Sequence, residues 1–269
     1  MKAIILSIGV LIGLGAQAMT KGVAEIQNNA SGFEFRQIKN NAFKAGEKLT
    51  YLMHYGFIDA GKATLEVKNT DKKVNGRELF HIVGEGKSLG TFNWFFKVQD
   101  RYETYLDTES IIPWMFIRDV YEGGFEMHQK YTFFQHKKEV SDGKKKSEVP
   151  HNIQDMISSY YYARTLDFSN AKKGDVFEFD SYVDGEVYPL KIKYLGKETI
   201  KIKNGKFRCM KFCPVIQTGR IFKNEEDLSV WISDDENKIP LLARAKIMVG
   251  SIKMEVTDYK GLKNPIAKL

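Results

Sequence analysis

The chain carries few of the residues that mark a metal enzyme or a redox protein. In 269 residues there are two cysteines and five histidines. The histidines (His54, His81, His128, His136 and His151) show no H-x-H, H-x-x-x-H or H-E-x-x-H spacing, so no zinc motif of that kind is written in the sequence. A metal would need ligands assembled across strands, and neither a metal nor a cofactor is expected. Charge is not massed: 41 Lys and Arg are interspersed with 34 Asp and Glu, for a formal net charge of +7. Without a basic stripe or a reading motif, nucleic acid is not an expected partner. Beyond residue 18 no apolar run approaches the roughly 20 residues that a membrane-crossing helix takes. No cysteine follows Ala18, so lipid attachment there is excluded.

What the N-terminus does hold is an export signal. Met1-Lys2 gives a positive start, residues 3–15 are uncharged and apolar, and Ala16-Gln17-Ala18 supplies small residues for cleavage. The expected mature chain begins near Met19 and lies free in the periplasm or is secreted. In that oxidising compartment Cys209 and Cys213 are four residues apart. On one regular strand their Cα atoms would be about 13 Å apart, beyond the roughly 7 Å span of a disulfide. Buried thiols are the first expectation; Pro214, by bending the chain, leaves a strained bridge as the second.

Residues 19–42 are polar, Asn-rich and aperiodic, and read as a leader whose Phe33, Phe35 and Ile38 tuck against the body. From Glu47 the period is two. Ala63, Leu65 and Val67 alternate with Lys62, Thr64, Glu66 and Lys68, and Ile252, Met254 and Val256 alternate with Lys253, Glu255 and Thr257. One wet and one buried face is the pattern of antiparallel sheets. Asn75-Gly76, Asp142-Gly143, Asp184-Gly185 and Asn204-Gly205 are hairpin signals, because their residues tolerate the positive φ of a type I′ turn. Two segments break the period. Residues 155–168 place Met156, Ile157, Tyr160, Tyr161 and Leu166 at helical spacing behind Asp155, a candidate cap. Residues 91–98 are aromatic and long enough for one or two helical turns. The expected fold is mainly β: a strongly curved antiparallel sheet, or open to half-closed β-barrel, with one principal helix. A single β-rich domain over 43–269 has two halves, about 43–149 and 170–262, joined by the helix at 155–168.

Several motifs invite a catalytic reading. Gly86-Lys87-Ser88-Leu89-Gly90 has the letters of a nucleophile elbow, but that elbow needs a parallel sheet, and no strand-helix alternation exists to build one. Asp100, Glu103 and Asp107 cluster, as do Asp234, Asp235 and Glu236; the second group reads as a hairpin tip. Lys137, Lys138, Lys144, Lys145 and Lys146 surround the Asp142-Gly143 turn as a basic tip suited to solvent or to membrane phosphates. No catalytic residue is assigned. The aromatic load is heavier than these signals: 18 Phe, 13 Tyr and 3 Trp, or 13% of the chain. A curved sheet can leave an apolar hollow lined by such rings.

Phe43-x-x-Gly46-Glu47-x-Leu49-x-Tyr51, Ala60-Gly61-x-Ala63-x-Leu65 and Phe96-x-Val98-x-Asp100-Arg101-Tyr102-Glu103 follow one another along the chain. Gly205-x-Phe207-x-Cys209, Val230-Trp231-Ile232-Ser233-Asp234-Asp235 through Ile239-Pro240, and Gly250-Ser251 complete the series. In these residues the chain resembles the bacterial domain-of-unknown-function 3108 family. The resemblance implies an exported protein with a strongly bent antiparallel β fold, and it implies no activity and no catalytic residues.

The expected function is that of a non-enzymatic periplasmic binding protein for a lipid or other amphiphile. The ligand would sit between the concave sheet and Tyr160, Tyr161 and Tyr162, under a lid of Phe92, Trp94, Phe95 and Phe96. The alternatives are a structural or assembly factor of the cell envelope, docking on another protein or on a membrane surface, and a hydrolase using Ser88 or the Asp100/Glu103 pair.

Overall fold

The computed structural model describes residues 34–215, 227–247 and 250–269. The expected signal segment (1–18) and Phe33 lie outside them. The first run of strands is β1 (Lys48–Tyr55), β2 (Ile58–Val74), β3 (Arg77–Ser88), β4 (Gln99–Asp107), β5 (Pro113–Glu122), β6 (Phe125–Phe134), β7 (Glu139–Ser141) and β8 (Lys146–Glu148). A short helix α1 (Gly90–Phe95) sits between β3 and β4, and helix α2 (Met156–Ala163) follows β8. The second run is β9 (Val176–Val183), β10 (Glu186–Ile202), β11 (Gly205–Pro214), β12 (Leu228–Ser233), β13 (Pro240–Lys246) and β14 (Ser251–Lys260).

All fourteen strands pair antiparallel in one sheet, in the spatial order β8 to β1, then β14 back to β9. Each half is a meander, and the halves are sewn together where β1 pairs with β14. The free edges, β8 and β9, are therefore consecutive in sequence, with α2 between them. The sheet is mainly antiparallel β as the alternation required, and it is not closed. Its edges nonetheless approach each other. Gln154, just ahead of α2, donates to Asp180 O (3.0 Å) and accepts from Tyr182 N (2.7 Å) on β9. The Tyr182 hydroxyl donates to Ser147 Oγ on β8 (3.0 Å), and its ring meets Tyr131 of β6 edge-on at 5.0 Å.

Two of the four turn signals act as their residues predict. Asn75 and Gly76 have φ of 51° and 78°, and Asp184 and Gly185 have 52° and 89°. At Asp142-Gly143 only the glycine is left-handed, because Asp142 Oδ1 instead accepts from the amides of Lys144 and Lys145 (2.8 and 2.7 Å). Ile192 and Ile200 belong to one 17-residue strand, β10, whose register shifts around Gly196 at φ 112°. Cys209 and Cys213 are both buried on β11, unbridged.

Asp155 caps α2 as its position predicts: its carboxylate accepts from Ile157 N and Ser158 N, while Ser158 Oγ accepts from Asp155 N. Thr104 of β4 donates to the other carboxylate oxygen (2.5 Å), fixing the helix over the sheet. The helix ends at Ala163, short of residue 168. Thr165 Oγ1 donates to Tyr162 O (2.7 Å) and the backbone tightens to i→i+3 bonds, which stops the spiral. Phe35 packs edge-on against Trp114 (5.5 Å), and Ile38 N donates to Glu109 O (2.8 Å), so this stretch before β1 lies on the body.

Candidate functional site

Register decides which side chains face the concave side. Across antiparallel partners, Tyr51, Ala63, Gly86 and Asp100 form one rung through β1 to β4, and Leu65, Gly84 and Tyr102 form the next. On the other half, Met53, Met254, Ala243, Val230 and Phe212 form a continuous rung from β1 through β14 to β11. These residues wall a cavity of about 260 Å³, and α2 roofs it with Met156, Ile157, Tyr160 and Arg164. Close-packed interiors hold few voids larger than a water molecule. The hollow exists because Ala63, Gly84, Gly86 and Ala243 put little or no side chain into the space where the sheet curves away from the helix. At Gly84 a Cβ would stand 3.2 Å from Leu65 Cδ2 and 3.7 Å from Ile157 Cδ1, which shows how closely α2 approaches there.

The polar groups of this largely apolar wall are few. Arg164, at the end of α2, is fully buried and grips Glu47 with both ends of its guanidinium (Nη1–Oε1 2.6 Å, Nη2–Oε2 2.7 Å). Its Nε donates to Asn237 O (2.8 Å) and Nη2 to Ala42 O (3.2 Å). Burial works against the charge on Arg164, yet the neighbouring Tyr160 and the Glu47 carboxylate together raise its pKa. Tyr51 and Tyr160 both line the cavity. Their hydroxyls are neighbours, but the geometry falls short of a hydrogen bond and both are buried without a protein partner. Burial lifts the Tyr51 pKa well above its ordinary value and pushes Tyr160 up to about 12. Both phenols therefore stay protonated donors at neutral pH.

Where the cavity reaches the start of β4, Asp100 is buried. It accepts from Tyr121 N (3.1 Å) and lies beside Glu122 of β5. Burial chiefly, with the Glu122 charge, pushes Asp100 up to about 7, against the pull of the Tyr121 amide; burial also raises Glu122. An acid whose folded pKa lies above its unfolded value stabilises the fold at low pH, and loses that contribution as pH rises through the folded value. Asp100→Asn should therefore melt like wild type near pH 4 and at a higher temperature than wild type at pH 8. Equal melting at both pH values would contradict this account of the pair.

The rings expected at the site divide. Tyr160 faces the cavity. Tyr161 is fully buried against Phe43 (4.7 Å), and Tyr162 lies beneath the Arg36 guanidinium (4.4 Å) and edge-on to Phe179 (5.1 Å). Consecutive helical residues point about 100° apart, so three in a row cannot share a face. Phe92, Trp94, Phe95 and Phe96 lie on and just after α1, outside the cavity wall. Phe92 is buried beneath Phe95 (4.9 Å), Phe96 fills the space over Gly123, and Trp94 and Phe95 are 90% and 64% exposed.

The catalytic alternatives meet other geometry. Ser88 is buried at the end of β3; its hydroxyl donates to Asn93 Oδ1 (2.6 Å) and accepts from Val98 N (2.9 Å), tying α1 to the sheet. Asp100 and Glu103, three apart on one strand, point to opposite faces: Glu103 pairs with Arg101 (2.8 Å) and His81 (2.5 Å). Among the described residues no cluster of three or more His, Cys, Asp or Glu is arranged to hold a metal ion. Among the site residues, sequence reasoning names Glu47 and Tyr51 within the family motif and gives them no role, and it does not name Arg164 or Glu122.

A rolled antiparallel sheet, open along one edge and roofed by a helix across an apolar hollow, is a half-closed, barrel-like fold with an internal cavity. The chain belongs to the DUF3108 family of proteins of unknown function, whose model matches residues 50–257. Its fold is similar to that of a β-barrel-like protein of the DUF1849 domain of unknown function from Brucella abortus. That likeness has a TM-score of 0.52 and 7% identity, and covers 82% of this chain and 99% of that one. A Bacteroides fragilis protein described as exported, with a YmcC-like fold, gives a TM-score of 0.30 at 12% identity over 81% of this chain and 97% of its own. So low a score carries no argument. No curated protein matches the sequence. Among the described residues no helix is long and apolar enough to cross a membrane.

Proposed function

We propose that the protein is an exported, non-enzymatic periplasmic carrier that holds a lipid or other amphiphile in the cavity between the concave sheet and α2. The observation that carries this reading is the hollow itself: a wall of apolar side chains, with Tyr51 and Tyr160 among them, left unfilled by the protein. The chain of a bound amphiphile would lie along Met53, Leu65, Phe212 and Val230. An N-terminus with the pattern of an export signal supports the location. A second reading, an envelope assembly factor that docks on another protein, is favoured by the exposed rings of Trp94 and Phe95.

The test is a titration of the delipidated mature protein with N-phenyl-1-naphthylamine, which fluoresces in apolar surroundings. Saturable enhancement, reversed by a long-chain fatty acid or a phospholipid, is the expected result. A flat titration would reject the carrier and leave the assembly reading in place.

A further inference from the structure

The exposed large apolar residues are not scattered. In an up-and-down meander the β1–β2, β3–β4, β5–β6, β9–β10 and β11–β12 connections all emerge at the same ends of the strands. Among the described residues, Phe57 and Ile58 stand on the first of these, Trp94 and Phe95 on the second, and Phe125 on the third. Val187 follows the fourth and Val215 opens the fifth. Seven of the nine exposed large apolar side chains among the described residues are thus on one rim. The other two, Val176 and Leu269, stand singly, and Leu269 lies at the opposite rim beside Lys206.

The aromatic sector of this rim is built as one piece. Leu89 N donates to Ala60 O (2.9 Å), joining α1 to the β1–β2 hairpin, and Gly123 N donates to Lys97 O (2.8 Å), joining the β5–β6 turn to the exit of α1. Gly123 has φ 56°, and the Phe96 ring occupies the space a Cβ would need, so the two connections interlock. Exposed apolar side chains gathered at one rim, rather than dispersed, mark an interaction surface.

Charge names the partner. Lys62, Lys87, Lys97 and Lys246 are exposed around this rim. Lys62 and Lys87 are directly opposed across β2 and β3, an arrangement that destabilises a sheet unless an anion relieves it. Acidic residues share the rim, but most are already engaged: Asp59 is bound to His54 (2.7 Å), Glu122 is half-buried beside Asp100 and Asp184 pairs with Arg118, which leaves Glu126 and Glu186 exposed against four lysines that join none of these pairs. Protruding Trp and Phe with lysines behind them fit the interface of an anionic bilayer, where rings sit at headgroup depth and lysines meet phosphates. The cavity wall runs up to the same rim, ending at Gly86, Asp100 and Pro214 beside Val215.

We infer that this rim docks on an anionic lipid bilayer, with Phe57, Trp94, Phe95 and Phe125 entering the headgroup layer and the lysines engaging the phosphates. The inference rests on the carrier reading only in naming where cargo enters and leaves; the docking surface stands on its own observations.

The experiment is flotation of the mature protein with mixed phosphatidylethanolamine–phosphatidylglycerol vesicles and with phosphatidylcholine vesicles, alongside the naphthylamine titration. Wild type should float with the anionic vesicles and much less with the neutral ones. Phe57→Ser/Trp94→Ser should weaken anionic-vesicle binding about a hundredfold, roughly tenfold per ring, and Lys62→Glu/Lys87→Glu should remove the anionic preference. Both variants should melt near wild type, since these side chains are exposed. Wild type that fails to float, or a ring variant that floats like wild type, would overturn the inference; so would rim-dependent capture of one envelope protein in place of vesicles. Flotation without probe uptake sinks the carrier and keeps the docking rim, whereas probe uptake without flotation does the reverse.

Discussion

Glu47→Gln should cost about 3–5 kcal/mol of folding stability, the range found when one partner of a buried ion pair is removed. The pair is fully buried and bidentate, with two N–O distances of 2.6 and 2.7 Å. The loss is large because Arg164 does not serve α2 alone. Through Glu47 it reaches the start of β1, through Asn237 O the β12–β13 turn, and through Ala42 O the segment that precedes β1. The substituted amide would keep the shape of the carboxylate and lose its charge, leaving a guanidinium in a low-dielectric setting with only dipoles around it. Urea unfolding of the variant at neutral pH measures the effect. Replacing both partners with apolar side chains, Glu47→Leu with Arg164→Met, should recover most of the stability, since a well-packed apolar pair avoids the desolvation of both ions. A single-variant loss below about 1 kcal/mol, no more than an ordinary hydrogen bond contributes, would mean that the pair is not the hub described here.

The second large effect is on binding. Ala63→Trp should abolish probe uptake while the protein remains folded by circular dichroism. Ala63 lies on the rung between Tyr51 and Gly86, facing the hollow. Enlarging a core residue ordinarily costs about 1–3 kcal/mol because packed neighbours must move. At Ala63 the new ring enters space that no side chain occupies, so the stability cost should fall at the low end of that range. Unchanged probe affinity in the folded variant would place the binding site elsewhere.

The fold was legible because it depends on local patterns. The alternation at Ala63, Leu65 and Val67 gives the inward face of β2, Asn75-Gly76 and Asp184-Gly185 give hairpins, and Asp155 gives the start of α2. Each is decided within a few residues by φ preference, pleat or capping. The site was legible only in outline. Arg164 and Glu47 are 117 positions apart, and nothing local in either residue announces the other. The hollow arises from what is missing at Gly84, Gly86, Ala63 and Ala243, and small residues carry no signal unless register is known. The run Tyr160-Tyr161-Tyr162 drew attention as a cluster, yet the pitch of the helix sends the three rings to three surroundings. The aromatic segment at 91–98 was visible as a segment, but that α1 lies past the strand ends, with Trp94 and Phe95 in solvent, follows from the position of β3 and β4 in the roll.

The central claim is that the cavity carries an amphiphile, and the most direct measurement is native mass spectrometry of the mature protein purified from its own envelope without detergent, followed by organic extraction. The account predicts a bound lipid-like molecule at close to one per chain, absent from Ala63→Trp prepared in the same way. A wild-type protein that emerges without any bound molecule, and that also takes up none from added phospholipid, would contradict it.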